Sequence, residues 1–279
     1  MNKFVTMIAA AASLTVAAVA LSAKANAGAV LDNVLATKTL KVAVGADWGP
    51  LSHLDDSHEL VGYDVDVAKA VAEHLGAQIQ FVTPGWDIIT GGKWQGRWDL
   101  AMGAMVPTKA RAEALDFPAI YFWGPNSAIV HKDSKATTPS DLEGKVVGVA
   151  GDTSAEAYAN HDLKPDWQNA SPVQYQFKAG QVKIYGTTKI AFDDLRLGDG
   201  VRLDAVIVDT TFARDSIKAG YPLKILEPPL FSAPGAISVL PGDKEFGDKI
   251  AAAIKKMKDD GTLSKLSTKW YDADYSKEQ

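Results

Sequence analysis

Gly62-Tyr63-Asp64-Val65-Asp66-Val67-Ala68-Lys69-Ala70-Val71 decides how the fold is read. Val67, Val71 and Leu75 recur at helical spacing and fall on one face. Asp64 is placed as the N-cap, and Asp64 and Asp66 together complement the positive end of the helix dipole. Short β-branched and apolar runs lie on either side, at residues 40–44 and 79–82, and more follow at 100–102, 128–130, 146–149, 205–208, 223–226 and 236–239. Strands alternating with helices predict an α/β architecture. Near the C-terminus, Phe246, Ile250, Ile254 and Met257 form one apolar stripe; Asp260-Gly261 breaks it, and Leu263, Leu266 and Trp270 resume it in a second short helix.

Before this alternation, residues 1–27 carry the pattern of an export signal. Lys3 gives a positive start, residues 4–21 are almost wholly apolar, and Ala25-Asn26-Ala27 is a small-x-small cleavage site. The chain contains no cysteine, which excludes a disulfide scaffold, a thiol nucleophile and a lipid-anchored cleavage site. The expectation is a protein free in the periplasm. Lys and Arg number 29 against 34 Asp and Glu, for a net charge of −5. Loss of Lys3 and Lys24 with the signal takes this to −7, which argues against a nucleic-acid partner. The roughly 250 remaining residues are enough for two hydrophobic cores, so two domains are expected.

Three features separated in sequence share one chemistry. Arg111 carries a planar guanidinium that offers parallel N–H donors to a carboxylate, which a lysine cannot do. Gly151-Asp152-Thr153-Ser154 reads as a turn entering a helix, where backbone N–H groups are free for the same anion; Thr153 and Ser154 also suit a plain N-cap, and both roles can coexist. Asp209 ends a buried strand, as an acceptor for an ammonium or as a cap ahead of Thr210 and Thr211. Together these are the minimum for gripping an α-amino acid. The five histidines have no metal-ligand spacing, there is no phosphate-binding glycine loop or nucleophile elbow, and no metal or cofactor is expected.

The stretch 62–71 resembles the signature of family 3 bacterial extracellular solute-binding proteins, the periplasmic amino-acid receptors of ABC importers. The similarity extends through Val42-Ala43-Val44-Gly45-Ala46-Asp47-Trp48-Gly49-Pro50, Gly96-Arg97-Trp98-Asp99-Leu100-Ala101-Met102, Leu142-Glu143-Gly144-Lys145-Val146-Val147-Gly148-Val149, Arg202-Leu203-Asp204-Ala205-Val206-Ile207-Val208-Asp209 and Asp260-Gly261-Thr262-Leu263. The resemblance implies a bilobal periplasmic-binding-protein type II fold, with two α/β lobes joined by two crossing strands. Lobe 1 is expected at 38–124 plus 232–279, lobe 2 at 125–231, and the crossings near 123–127 and 231–235.

By the same resemblance, Arg111, Thr153 and Ser154 hold the ligand carboxylate and Asp209 its ammonium. Trp48 and Trp86 fall where the family places two aromatic walls around the ligand side chain; with Asp47 beside Trp48, they lean towards a cationic or long polar ligand. Trp94, Trp98 and Trp123 are left as packing or rim residues. Two positions depart from the family pattern: hydroxyl residues common in relatives are here Ala104 and Val106. Ala104 can still act through its backbone, whereas Val106 offers no side-chain acceptor to an ammonium. The expected protein is a monomeric, non-catalytic receptor that delivers an amino acid or derivative to an inner-membrane permease. The alternative is a cleft enzyme of the same fold, of the cyclohexadienyl dehydratase type.

Overall fold

Strands and helices alternate through most of the computed structural model, which describes residues 28–278; the expected export signal, residues 1–27, lies outside them. The strands are β1 (Thr39–Ala43), β2 (His53–Leu54), β3 (Leu60–Val61), β4 (Gln78–Val82), β5 (Leu100–Met105), β6 (Asp116–His131), β7 (Val146–Ala150), β8 (Gln181–Tyr185), β9 (Ala205–Asp209), β10 (Leu223–Ile225) and β11 (Phe231–Val239). The helices are α1 (Ala29–Thr37), α2 (Tyr63–His74), α3 (Trp86–Thr90), α4 (Lys109–Ala112), α5 (Ser154–Ala159), α6 (Thr188–Leu195), α7 (Thr210–Lys218), α8 (Lys244–Asp259) and α9 (Thr262–Tyr271).

One hydrogen-bonded path runs β4-β1-β5-β11-β6-β9-β7-β8, with β10 added to β6. Its two ends are parallel: β1 pairs with β4 and β5, and β7 pairs with β8 and β9. Its middle is antiparallel, where β11 lies between β5 and β6. The two segments expected as crossings sit in register there, Phe231 opposite Asn126 and Gly235 opposite Phe122.

Apolar side chains collect separately at the two ends, on both faces of each parallel sheet, as such sheets require. At one end Leu40 and Val42 of β1, Val67 and Val71 of α2 and Phe246, Ile250 and Ile254 of α8 share a core. Trp94, Trp98 and Met105 cover the opposite face. At the other end Val147, Val149, Tyr158 and Ile207 form one core, and Phe192, Leu195, Val206 and Leu223 form another.

The structure revises several local readings. Asp64 is not the N-cap of α2: Gly62 holds that position, and no side chain caps the helix. Asp64 lies inside the first turn and is fully buried, accepting a hydrogen bond from Tyr121 Oη. Asp66 accepts from Lys269 Nζ and Trp270 Nε1 of α9, so it ties two helices together as well as facing the dipole. The strand expected at 128–130 is the last part of the 16-residue β6, whose Pro118, Gly124 and Pro125 hid its length because such residues normally argue against a strand. β8, which is half exposed along its length, had been missed.

Gly62 admits no side chain. Its φ is +140°, and a Cβ there would stand 2.2 Å from the carbonyl oxygen of Leu51. Gly62→Ala should therefore lower unfolding free energy by about 3 kcal/mol, combining backbone strain with a clash against main chain that cannot rotate away. Urea denaturation reads this; a loss below 0.5 kcal/mol would show the 51–62 contact to be soft.

Candidate ligand-binding cleft

A cleft of about 180 Å³ opens between the two ends of the sheet, and all eight residues expected at the site lie on or beside it. Trp48, Trp86, Ala104, Val106, Arg111, Thr153, Ser154 and Asp209 all line it. Several are delivered by the ends of regular elements: Ala104 by β5, Arg111 by α4, Ser154 by the start of α5, Asp209 by the junction of β9 and α7.

Arg111 is half-buried, and two of its five N–H donors are already engaged. Nη1 donates to the Val106 carbonyl at 2.8 Å and Nη2 to the Asp152 carbonyl at 2.6 Å. Burial lowers its pKa to about 10 and the nearby Asp152 carboxylate opposes this, so the group is cationic at neutral pH. Val106, lacking a side-chain acceptor, thus contributes a main-chain one, and it serves the arginine.

Facing Arg111 is the turn into α5. Asp152 has φ +57°, the left-handed conformation that Asp tolerates better than most residues, and this turns its carbonyl towards the opposite wall. Thr153 is the helix N-cap: its hydroxyl accepts from Glu156 N–H and donates to the Ala150 carbonyl. That uses up the hydroxyl. Among the described residues no protein acceptor takes the backbone N–H of Thr153 or Ser154, so the anion-binding capacity expected of this turn resides in the main chain.

Asp209 fulfils the cap reading and leaves room for the other. Oδ1 accepts from the N–H groups of Thr211 and Phe212 and from the Thr211 hydroxyl. No hydrogen bond engages Oδ2 among the described residues, and it faces Gly124 so closely that a Cβ there would stand 2.7 Å away. Burial raises the pKa of the carboxyl, and the Thr211 and Phe212 donors and Arg214 pull it back.

The two tryptophans do not form facing walls. Their ring centroids are 5.2 Å apart at an interplanar angle of 88°, an edge-to-face contact, so no flat slot separates them. Both rest on Gly103, where a Cβ would come within 2.7 Å of Trp48 and 2.8 Å of Trp86. Arg111 lies 5.5 Å from the Trp86 ring centroid, so that ring already has a cation partner. Trp86 Nε1 also donates to the Asp152 carbonyl, at 3.0 Å.

Further contacts across the cleft were not legible in the sequence. Lys109 N–H donates to the Lys164 carbonyl and Asp166 N–H to the Pro107 carbonyl, with Thr108 and Pro165 paired as an antiparallel bridge. On another side Arg214 Nη1 donates to Tyr275 Oη at 2.8 Å, and Gly49 lies against the Phe212 ring. Tyr121 also escaped the sequence reading, although its hydroxyl accepts from the N–H groups of Gly103 and Ala104 directly behind the cleft.

The profile of the bacterial extracellular solute-binding proteins, family 3, matches residues 40–273. The L-cystine-binding protein TcyJ of Escherichia coli (strain K12) is 29% identical over 251 residues, spanning 89% of this chain and 88% of that protein. Among solved structures, an ancestral arginine-binding protein bound to glutamine is 30% identical, with a TM-score of 0.72 over 84% of this chain and 98% of that one. An ancestral amino acid-binding protein, a precursor of cyclohexadienyl dehydratase, is 29% identical, with a TM-score of 0.72 over 86% and 98% of the two chains.

Arg111→Lys keeps a positive charge but cannot bond two carbonyls and a carboxylate in one plane. Affinity for a carboxylate ligand should fall more than tenfold by calorimetry. Unchanged affinity would remove Arg111 from the site.

Proposed function

The chain belongs to the bacterial extracellular solute-binding proteins, family 3, and from that premise we propose that it is a periplasmic receptor for an amino acid or amino-acid derivative with a cationic or long polar side chain. The observation that carries this reading is the convergence on one cleft of the Arg111 guanidinium, the free N–H groups of Thr153 and Ser154, and the unengaged Asp209 Oδ2. The first two suit a carboxylate and the third an ammonium. Asp209 and the Ala104 main chain together take over the ammonium role that Val106 cannot fill.

Capture works by closure. Lobe 1 comprises 38–124 and 232–279, lobe 2 comprises 125–231, and the hinge lies at the paired segments 123–127 and 231–235; the separate cores on either side support this division. The closed receptor delivers its ligand as a monomer to an ABC permease in the inner membrane. Relatives named for binding cystine and arginine are consistent with a long polar or cationic ligand side chain.

The receptor reading is preferred to an enzyme. The relative named as a precursor of a dehydratase is itself named an amino acid-binding protein. In the cleft, Asp209 has one oxygen committed as a helix cap.

A thermal-shift panel of common amino acids, opines and amino-acid betaines tests the reading. At about 100 times the dissociation constant, linkage adds about 2.7 kcal/mol, which raises Tm by about 5 to 11 °C in a chain of this size. No shift with any member would count against the receptor. Prephenate and arogenate should survive incubation, and conversion to aromatic product would replace the receptor reading with the enzyme.

Since Arg111 already occupies the Trp86 ring, a cationic side chain would be read by Trp48, with Asp47 alongside. Trp48→Leu keeps apolar contact and loses the ring quadrupole. It should cost L-arginine at least fivefold more affinity than L-glutamine. Equal losses would make Trp48 a wall and nothing more.

A further inference from the structure

β5 leaves its partner strand at the cleft. Its ladder with β11 pairs Ala101 with Ser238 and Met105 with Ala236, three residues on one strand spanning what one residue spans on the other, with a register shift between. Within that bulge Gly103 has φ +141° and Ala104 φ +46°, a conformation disfavoured for an alanine. The N–H groups freed from the ladder turn away from β11 and donate to Tyr121 Oη, Ala104 at 2.8 Å and Gly103 at 3.3 Å. Tyr121 Oη in turn donates to Asp64 Oδ1 at 2.7 Å. Tyr63 Oη donates to the Tyr121 carbonyl at 2.7 Å, fixing the strand that carries the ring.

The chain of contacts runs from a buried carboxyl on α2, through a buried phenol on β6, to the main chain beneath the ligand cleft. It ends where Trp48 and Trp86 both rest on Gly103 and where Ala104 lines the cleft. We propose that Asp64 and Tyr121 are positioning residues of the amino-acid site, holding the Gly103–Ala104 bulge in the shape that seats the tryptophans and presents Ala104 to the ligand ammonium. This rests on the receptor reading for its ligand, but not for its geometry.

Among the described residues no cation pairs with Asp64. Tyr63 on its own helix, Tyr121 on β6 and Tyr271 on α9 surround it, with Asp209 and Asp274 acting on these phenols from further away; Asp66 is paired with Lys269. Its Oδ2 is buried without a hydrogen-bond partner among the described residues. Burial pushes its pKa up to about 7, the bond from Tyr121 opposing. Ionised Asp64 holds Tyr121 by a charge-assisted hydrogen bond and places negative charge behind an ammonium site; the neutral form does neither. Affinity should therefore rise as pH climbs through about 7, and binding an ammonium ligand near that pH should release protons.

The amide resonances of Gly103 and Ala104 read the relay without any ligand. In the ligand-free protein they should titrate with a midpoint near pH 7, and the titration should vanish in Asp64→Asn and in Tyr121→Phe. With L-arginine and L-glutamine as probes, Tyr121→Phe should weaken binding at least tenfold, Asp64→Asn should flatten the pH profile, and the double variant should bind no worse than Tyr121→Phe alone, as expected of groups acting in series. Amides that stay constant from pH 5.5 to 8.5, or a Tyr121→Phe protein that binds like the parent, would overturn the proposal. A parent that binds no member of the ligand panel would overturn the receptor reading instead, and the amide titration would still decide the relay.

Discussion

Everything at the cleft depends on the antiparallel pairing of β6 with β11. β6 contributes to both ends of the molecule: its first half faces Tyr63 and α8, and its last residues pair with β9 and β10. β11 follows it from Phe231 opposite Asn126 to Val239 opposite Asp116, with register shifts between Gly235 and Ala236 and between Ile237 and Val239. On either side of this pairing each end keeps its own core. Arg111 hangs from one end and the Thr153–Ser154 turn from the other, and the paired strands set the distance between them.

Arg111 is where electrostatics and closure meet. A half-buried guanidinium without partners would be costly, and main-chain carbonyls of Val106 and Asp152 offset that without adding charge. On the proposed receptor reading, the donors left on the guanidinium and the unengaged N–H groups of the α5 turn serve one ligand carboxylate. Asp209 shows the same economy, capping α7 with one oxygen and leaving the other over Gly124.

The parallel strands other than β8, the α2 stripe and the charged residues that line the cleft were legible because each is a local pattern: Val67 and Val71 recur at helical spacing, and Arg111 and Asp209 carry chemistry that sequence neighbours do not alter. Asp64 was misassigned because a carboxylate at a helix start usually caps it, and only the position of Tyr121, 57 residues away, gives it another partner. The crossed arrangement of Trp48 and Trp86 follows from both rings resting on Gly103, a tertiary contact with no trace in spacing. The long β6 was hidden by Pro118, Gly124 and Pro125, residues tolerated because its neighbours change along its length. The stretch from His161 to Gly180 has no apolar period of its own, so its reach across the cleft could not be anticipated.

The bridge between 107–109 and 164–166 is made of main-chain groups. Amide and carbonyl positions survive most amino-acid replacements, so Lys109, Lys164 and Asp166 can drift without opening it. The residues proposed to read the ligand side chain, by contrast, act through side chains, at Trp48 and Asp47. On the proposed receptor reading, closing and choosing are thus encoded in different atoms, and a lineage of such proteins could exchange one ligand for another by point substitution while inheriting an unaltered clasp.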